Sequence, residues 1–126
     1  MTRSEVAGWG ESEAARYLRR LGWEIQETNW HCRYGEIDIV ARQGETLVFV
    51  EVKARRSRSF GLPEEAMTPS KRRRILRSAR TYLEEHSLSA AEWRVDVVAI
   101  EGRPGRPPDR LDHYRDALPD EPDDMR

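Results

Sequence analysis

The chain has 126 residues, 37% hydrophobic and 36% charged, with a formal net charge of -1 and one cysteine. That length supports one domain with a single modest core, and the longest apolar runs, Leu47-Val48-Phe49-Val50 and Val97-Val98-Ala99-Ile100, fall far short of the roughly 20 residues of a bilayer span. With no secretory h-region after Met1 and no partner for Cys32, the expectation is a cytoplasmic protein with no membrane span and no intrachain disulfide.

In chain order, residues 3–21 predict an amphipathic helix, with Ala7, Glu11, Ala14, Ala15, Leu18 and Leu21 at helical spacing and Gly22 as its stop. Glu11 is a carboxylate in the middle of the apolar stripe. Residues 23–28 alternate as a short strand, and Asn29 to Gly35 reads as a polar connection bearing aromatics. Glu36 to Ala41 and Thr46 to Lys53 are stronger strands, rich in Ile, Val and Phe and joined across Gln43-Gly44. Ala54 to Met67 reads as a loop, with Gly61 and Pro63 as breakers. A second helix follows, with Thr68 as N-cap, Pro69 in first position and Ile75, Leu76, Ala79 and Leu83 inside. Trp93 to Ile100 is another strand, Gly102 to Asp109 a Gly/Pro-rich connection, and Leu111 to Leu118 a short element of no assigned type. The predicted fold is α/β, a mixed β-sheet flanked by helices in the order α-β-β-β-α-β. One domain is expected over 1–118, followed by a disordered acidic tail over 119–126.

The chemistry sits in the hairpin. Alternation along a strand puts Glu51 and Lys53 on one face. A two-residue turn at Gln43-Gly44 sets Asp38 opposite Phe49, diagonal to Glu51 and on the same face; a three-residue loop turns it away. Charges at the end of so apolar a strand are disfavoured unless paired or metal-bound, and two neighbouring carboxylates repel. A hard divalent cation resolves that conflict, Mg²⁺ taking one or two carboxylates plus waters and a substrate phosphate. In this reading Asp38 and Glu51 hold the metal, the Val52 carbonyl adds an oxygen, Lys53 orients a water or favours its deprotonation, and Glu11 joins the cluster. The plainer alternative is a structural salt bridge from Lys53 to Asp38 or Glu51.

Between Lys53 and Arg80 there are ten Lys/Arg against two acids, the local basic stripe that phosphate binding needs. Arg55, Arg56 and Arg58 after the lysine, and Lys71, Arg72, Arg73 and Arg74 at the start of the second helix, are the candidate nucleic-acid contacts; the alternative is a solvated helix face. His31 and Cys32 lack partners at zinc-ligand spacing, and His86 and His113 read as surface residues. Trp30 and Tyr34 pack against the first helix or stack on unpaired bases. Asp96 buttresses the core, and Phe60-Gly61 forms a lip over the site.

The stretches Gly10-Glu11, Ala14-Ala15-Arg16-Tyr17-Leu18, Asn29-Trp30, Gly35-Glu36-Ile37-Asp38, Val48-Phe49-Val50-Glu51-Val52-Lys53-Ala54-Arg55, Phe60-Gly61, Lys71 and Asp96-Val97-Val98 resemble the YraN family of predicted endonucleases, within the PD-(D/E)XK, or restriction-endonuclease-like, superfamily. The resemblance implies phosphodiester cleavage with Mg²⁺ or Mn²⁺. It gives metal binding to Asp38 and Glu51, the lysine role to Lys53 and an auxiliary acidic role to Glu11. The family is similar to archaeal Holliday-junction resolvases, which implies branched DNA as a substrate. The leading reading is a metal-dependent endonuclease acting on branched or single-stranded DNA in repair, recombination or DNA uptake. Symmetric cutting of a junction requires a homodimer. The competing functional readings are a non-catalytic nucleic-acid-binding module that kept the fold, and a protein-interaction domain using the acidic tail.

Overall fold

The computed structural model describes residues 2–57 and 67–118; Arg58, the Phe60-Gly61 lip and the acidic tail lie outside the described residues. The first helix, α1 (Arg3–Arg20), is fixed at both ends by its own sequence. The Thr2 Oγ1 accepts the Glu5 N–H at 3.1 Å. At the other end Gly22, with φ 87°, lets its own N–H reach the Arg19 carbonyl and the Trp23 N–H the Leu18 carbonyl, a Schellman closure. The second helix, α2 (Pro69–Glu85), starts as expected, with Pro69 in its first turn and Thr68 Oγ1 accepting the Lys71 N–H at 3.2 Å.

Five strands form one sheet in sequential order: β1 (Glu24–Cys32), β2 (Gly35–Gln43), β3 (Thr46–Arg55), β4 (Trp93–Glu101) and β5 (Arg110–Tyr114). All pairs are antiparallel except β3 and β4, which run parallel because α2 carries the chain back between them. The helices cover opposite faces. Val48, Val50 and Ile100 pack with Ala14, Ala15 and Leu18 of α1, while Leu47, Phe49 and Val95 pack with Ile75, Leu76, Ala79 and Leu83 of α2. Strands covered on both sides read as continuous apolar runs rather than alternating ones, which is the pattern of Leu47 to Val50. No helix among the described residues is long and apolar enough to cross a membrane.

Several boundaries differ from expectation. The strand β1 continues through Cys32 across the segment expected as a connection, because β2 offers a ladder partner as far as Cys32↔Gly35; pairing outweighs the polar composition of residues 28–31. The β2–β3 turn is Gly44-Glu45 rather than Gln43-Gly44, since Gln43 pairs with Thr46 and Gly44 takes the positive φ of 60°. β3 runs on to Arg55, into the expected loop. The first half of the untyped element at 111–118 belongs to a fifth strand, so the order is α-β-β-β-α-β-β.

Gly10 sets how closely α1 meets the sheet. A Cβ there would lie 2.6 Å from the Ala54 Cβ, so only glycine permits this approach, and the next residue is Glu11. On β4, Asp96 is fully buried. Its carboxylate accepts from Arg94 Nε at 3.0 Å, His113 Nε2 at 2.8 Å and the Asp116 N–H at 2.9 Å. Burial pushes this carboxyl up, but the bonds from His113, Arg94 and Asp116 outweigh it and hold it below the usual range. The other ring nitrogen of His113, Nδ1, is hydrogen-bonded to the Tyr17 hydroxyl at 2.9 Å, so β4, β5 and α1 are tied by one chain of bonds. His113 is therefore not a surface residue, its side chain being 6% exposed. Asp96 is the core buttress that its apolar strand implied. Removing it in Asp96→Ala leaves Arg94, His113 and the Asp116 N–H without this acceptor and lowers stability by about 3 kcal/mol, read from urea unfolding.

Candidate active site

The β2–β3 ladder pairs Gln43 with Thr46 and ends at Ile39↔Val50. Continued one step, the same register sets Asp38 directly across from Glu51, closer than the diagonal placement expected from the sequence. Beyond that step the strands no longer bond through their backbones. The Asp38 Oδ2 instead accepts the Val52 N–H at 2.8 Å, a side chain standing in for a strand. The Val52 carbonyl projects to the same edge as its N–H in an extended chain. Ordinary alternation also fails here. Ile37 joins the α2-side cluster and Ile39 the α1-side cluster, although they are two residues apart. Asp38 lies between them, at an edge reached from both faces.

Three groups meet at this opening. Lys53 Nζ lies 3.1 Å from Glu51 Oε1, the two side chains 19% and 13% exposed. Glu51, Lys53, Gly35, Glu36, Lys71, Arg74 and Ile75 line a cavity of about 180 Å³. Carboxylate oxygens of Glu11, Glu36 and Asp38 lie within 4.8 Å of one another. Asn29, opposite Asp38 between the Thr28↔Ile39 and Trp30↔Ile37 pairs, holds two of them together. With its amide nitrogen turned inward it donates to Glu11 Oε2 at 3.1 Å and Glu36 Oε1 at 2.7 Å. It does so from a left-handed backbone, φ 52°, which asparagine tolerates better than most residues.

The electrostatics follow from crowding acids out of water. Burial, then the charge of Asp38, pushes Glu51 up to about 8 despite Lys53. Burial and the same neighbour push Glu11 up to about 7. Asp38 is raised chiefly by burial, against the Val52 N–H that lowers it. Near neutral pH the protein thus keeps protons among these carboxylates, where a cation would otherwise balance them. The donor set, all carboxylate oxygen with no thiol or imidazole among Glu11, Glu36, Asp38 and Glu51, suits a hard cation such as Mg²⁺ or Mn²⁺.

Asp38, Glu51, Lys53 and Glu11 are all brought to this edge, and Lys71 and Arg74 reach the cavity mouth. Arg72 and Arg73 share the helix but do not line that cavity, and Arg55 and Arg56 lie at and beyond the end of β3. Trp30 packs edge-to-face on Tyr82 of α2, centroids 5.2 Å apart, so it meets the second helix rather than the first. Glu36 and Asn29 have a place in the site that the sequence had not suggested. Glu36 stands two residues from Asp38, a usable signal; the reach of Asn29 depends on a backbone turn with no such mark.

Glu11 and Glu51 titrate higher in the folded protein than their usual 4.5. Protons are therefore held more tightly in the folded state, so their contribution to stability is present at low pH and is lost as pH rises through about 7 and about 8. Metal-free protein loses urea resistance from pH 5 to pH 9, and Glu51→Gln, which cannot ionise, loses less.

Residues 10–100 match the Uncharacterised protein family UPF0102. A UPF0102 protein of Beutenbergia cavernae is 50% identical over 98 residues, 78% of this chain and 83% of its own length. One of Rhodococcus opacus (strain B4) is 50% identical over 109 residues, covering 86% and 92%, and one of Nocardia farcinica is 48% identical over 113 residues, covering 90% and 88%. The matched span contains Glu11, Asn29, Glu36, Asp38, Glu51, Lys53, Lys71 and Arg74. The chain belongs to the UPF0102 family, the YraN-like family its motifs resemble.

Proposed function

We propose that this protein is a metal-dependent endonuclease that hydrolyses phosphodiester bonds in DNA. The observation that carries the reading is the meeting of Asp38, Glu51 and Lys53 at the open end of the β2–β3 ladder, with two more carboxylates and two cations around them. The spacing of Asp38 with Glu51-Val52-Lys53 is also what supports placement in the PD-(D/E)XK superfamily and a likeness to Holliday-junction resolvases.

Mg²⁺ or Mn²⁺ held by Asp38, Glu51 and the neighbouring carboxylates, with the Val52 carbonyl, would supply Lewis-acid stabilisation of charge on the phosphate and acidify a water. The protein's own groups do the rest. Lys71 and Arg74 at the mouth bind the substrate phosphate. Lys53, kept in place by Glu51, orients the attacking water and favours loss of its proton through its positive charge. Asn29 keeps Glu11 and Glu36 turned inward. Protons on Glu11 and Glu51 compete with the cation, so metal binds more tightly as pH rises. The expected substrate is branched or single-stranded DNA in repair or recombination.

A labelled panel of duplex, single-stranded, flap and four-way-junction DNA with Mg²⁺ or Mn²⁺ tests this. Cutting by the native chain, reduced on the order of 10²–10⁴-fold in Lys53→Ala and Glu51→Ala, is the expected result. No cutting of any substrate, with salt-sensitive binding that both substitutions leave unchanged, would instead establish a non-catalytic binding module.

A further inference from the structure

Beside the site lies a second groove, of about 790 Å³, lined by Cys32, Arg33, Tyr34, Arg77 and Arg80 among others. Its position follows from two short connections. Arg33 and Tyr34 form the β1–β2 turn, immediately before Gly35 and Glu36, which line the catalytic cavity. Arg77 follows Arg74 by three residues on α2, so Lys71, Arg74 and Arg77 make one row, running about 9 Å from the cavity mouth to the turn. The turn is held against α2 by the Cys32 thiol, which donates to Ser78 Oγ at 3.5 Å. Cavity and groove are therefore lined by consecutive residues of the turn, Tyr34 and Gly35, and by one row of cations on α2.

At its centre is an aromatic ring flanked by guanidinium groups. Arg33 lies over Tyr34 at 4.8 Å from the ring centroid, and Arg77 at 5.8 Å; Arg33 also donates to the Tyr34 hydroxyl at 2.7 Å. Trp30, the other aromatic of this segment, is committed to packing on Tyr82, whereas Tyr34 stacks on no other aromatic ring among the described residues and keeps part of its surface open. Glu84 and Glu85 close the far end and repel phosphate there, so the basic track is short. A positively charged groove with an aromatic ring and guanidinium planes suits unpaired nucleotides, whose bases stack while the backbone follows the cations. A duplex keeps its base faces stacked and has nothing to offer Tyr34.

We propose that the Arg33–Tyr34–Arg77 groove binds the unpaired strand of the DNA substrate, one base stacking against the Tyr34 platform while Lys71, Arg74 and Arg77 follow its phosphates. This rests on the nuclease reading and narrows its substrate to DNA with a single-stranded segment next to the cleaved bond. Tyr34 is a substrate-positioning residue and takes no part in the bond-breaking step.

Binding of a single-stranded oligodeoxynucleotide carrying 2-aminopurine, and of a blunt duplex of the same length, is measured without metal for native protein, Tyr34→Ala and Tyr34→Phe, each checked for fold by circular dichroism. Native protein and Tyr34→Phe quench the fluorescent base, while Tyr34→Ala loses the quench and roughly 5- to 150-fold in single-strand affinity, with duplex affinity unchanged. Unchanged single-strand binding by folded Tyr34→Ala, or equal losses for both DNAs, overturns the proposal, as does tighter binding of a matching RNA oligonucleotide. Cleavage is scored separately. If the native chain cuts DNA but Tyr34→Ala binds normally, the groove assignment fails and the nuclease stands; if nothing is cut but the Tyr34-dependent binding persists, the nuclease fails and the strand-binding groove stands.

Discussion

The bond from the Val52 N–H to Asp38 Oδ2, 2.8 Å long, is where sheet and site depend on each other. A strand that parts from its neighbour leaves backbone donors without partners, and a buried unpaired N–H costs about as much as a lost hydrogen bond. Asp38 satisfies that donor with its side chain, so β2 and β3 separate without stranding it. The gap between them is the place where Glu51, Lys53, Glu36 and Glu11 converge. The same bond orients the carboxylate: one oxygen faces the backbone of β3 and the other is left for the cluster.

The cost of this arrangement falls on the acids. Ionised carboxylates taken out of water lose several kcal/mol of solvation each, and with Lys53, Lys71 and Arg74 lining the opening Glu11 and Glu51 are still raised. Asp96 makes the contrast. It is more deeply buried, yet it is lowered rather than raised because Arg94, His113 and a backbone N–H all donate to it. One buried carboxylate in this sheet is fully satisfied by protein; the cluster at the other is not. That difference separates a structural acid from a set suited to a cation and a phosphate.

Much of this was legible in the residues. Asp38, Glu51 and Lys53 could be put on one face because a shift of two in the register preserves side-chain parity, so misplacing the turn by one residue did no harm to the grouping. Thr68-Pro69 and Gly22 marked helix ends by local chemistry that tertiary context seldom overrides. What stayed hidden depends on contacts distant in sequence. The extension of β1 needed β2 as partner, and β5, at only five residues, is a strand because β4 is beside it. The burial of His113 follows from Asp96 and Tyr17 lying on either side of it, and the reach of Asn29 from a left-handed backbone that composition does not announce. Arg77 falls within the basic stripe between Lys53 and Arg80, but its place beside Tyr34 depends on the hairpin turn.

The central claim is that the carboxylates at the open edge form a binding site for a hard divalent cation. Calorimetric titration of Mn²⁺ into the protein at pH 7.5, repeated in buffers of different ionisation enthalpy, tests it most directly. The account predicts saturable binding with net proton release, since Glu11 and Glu51 must give up protons that the metal-free fold retains, and a large loss of affinity in Asp38→Asn. No saturable binding, or binding that Asp38→Asn leaves unchanged and that releases no protons, would contradict it.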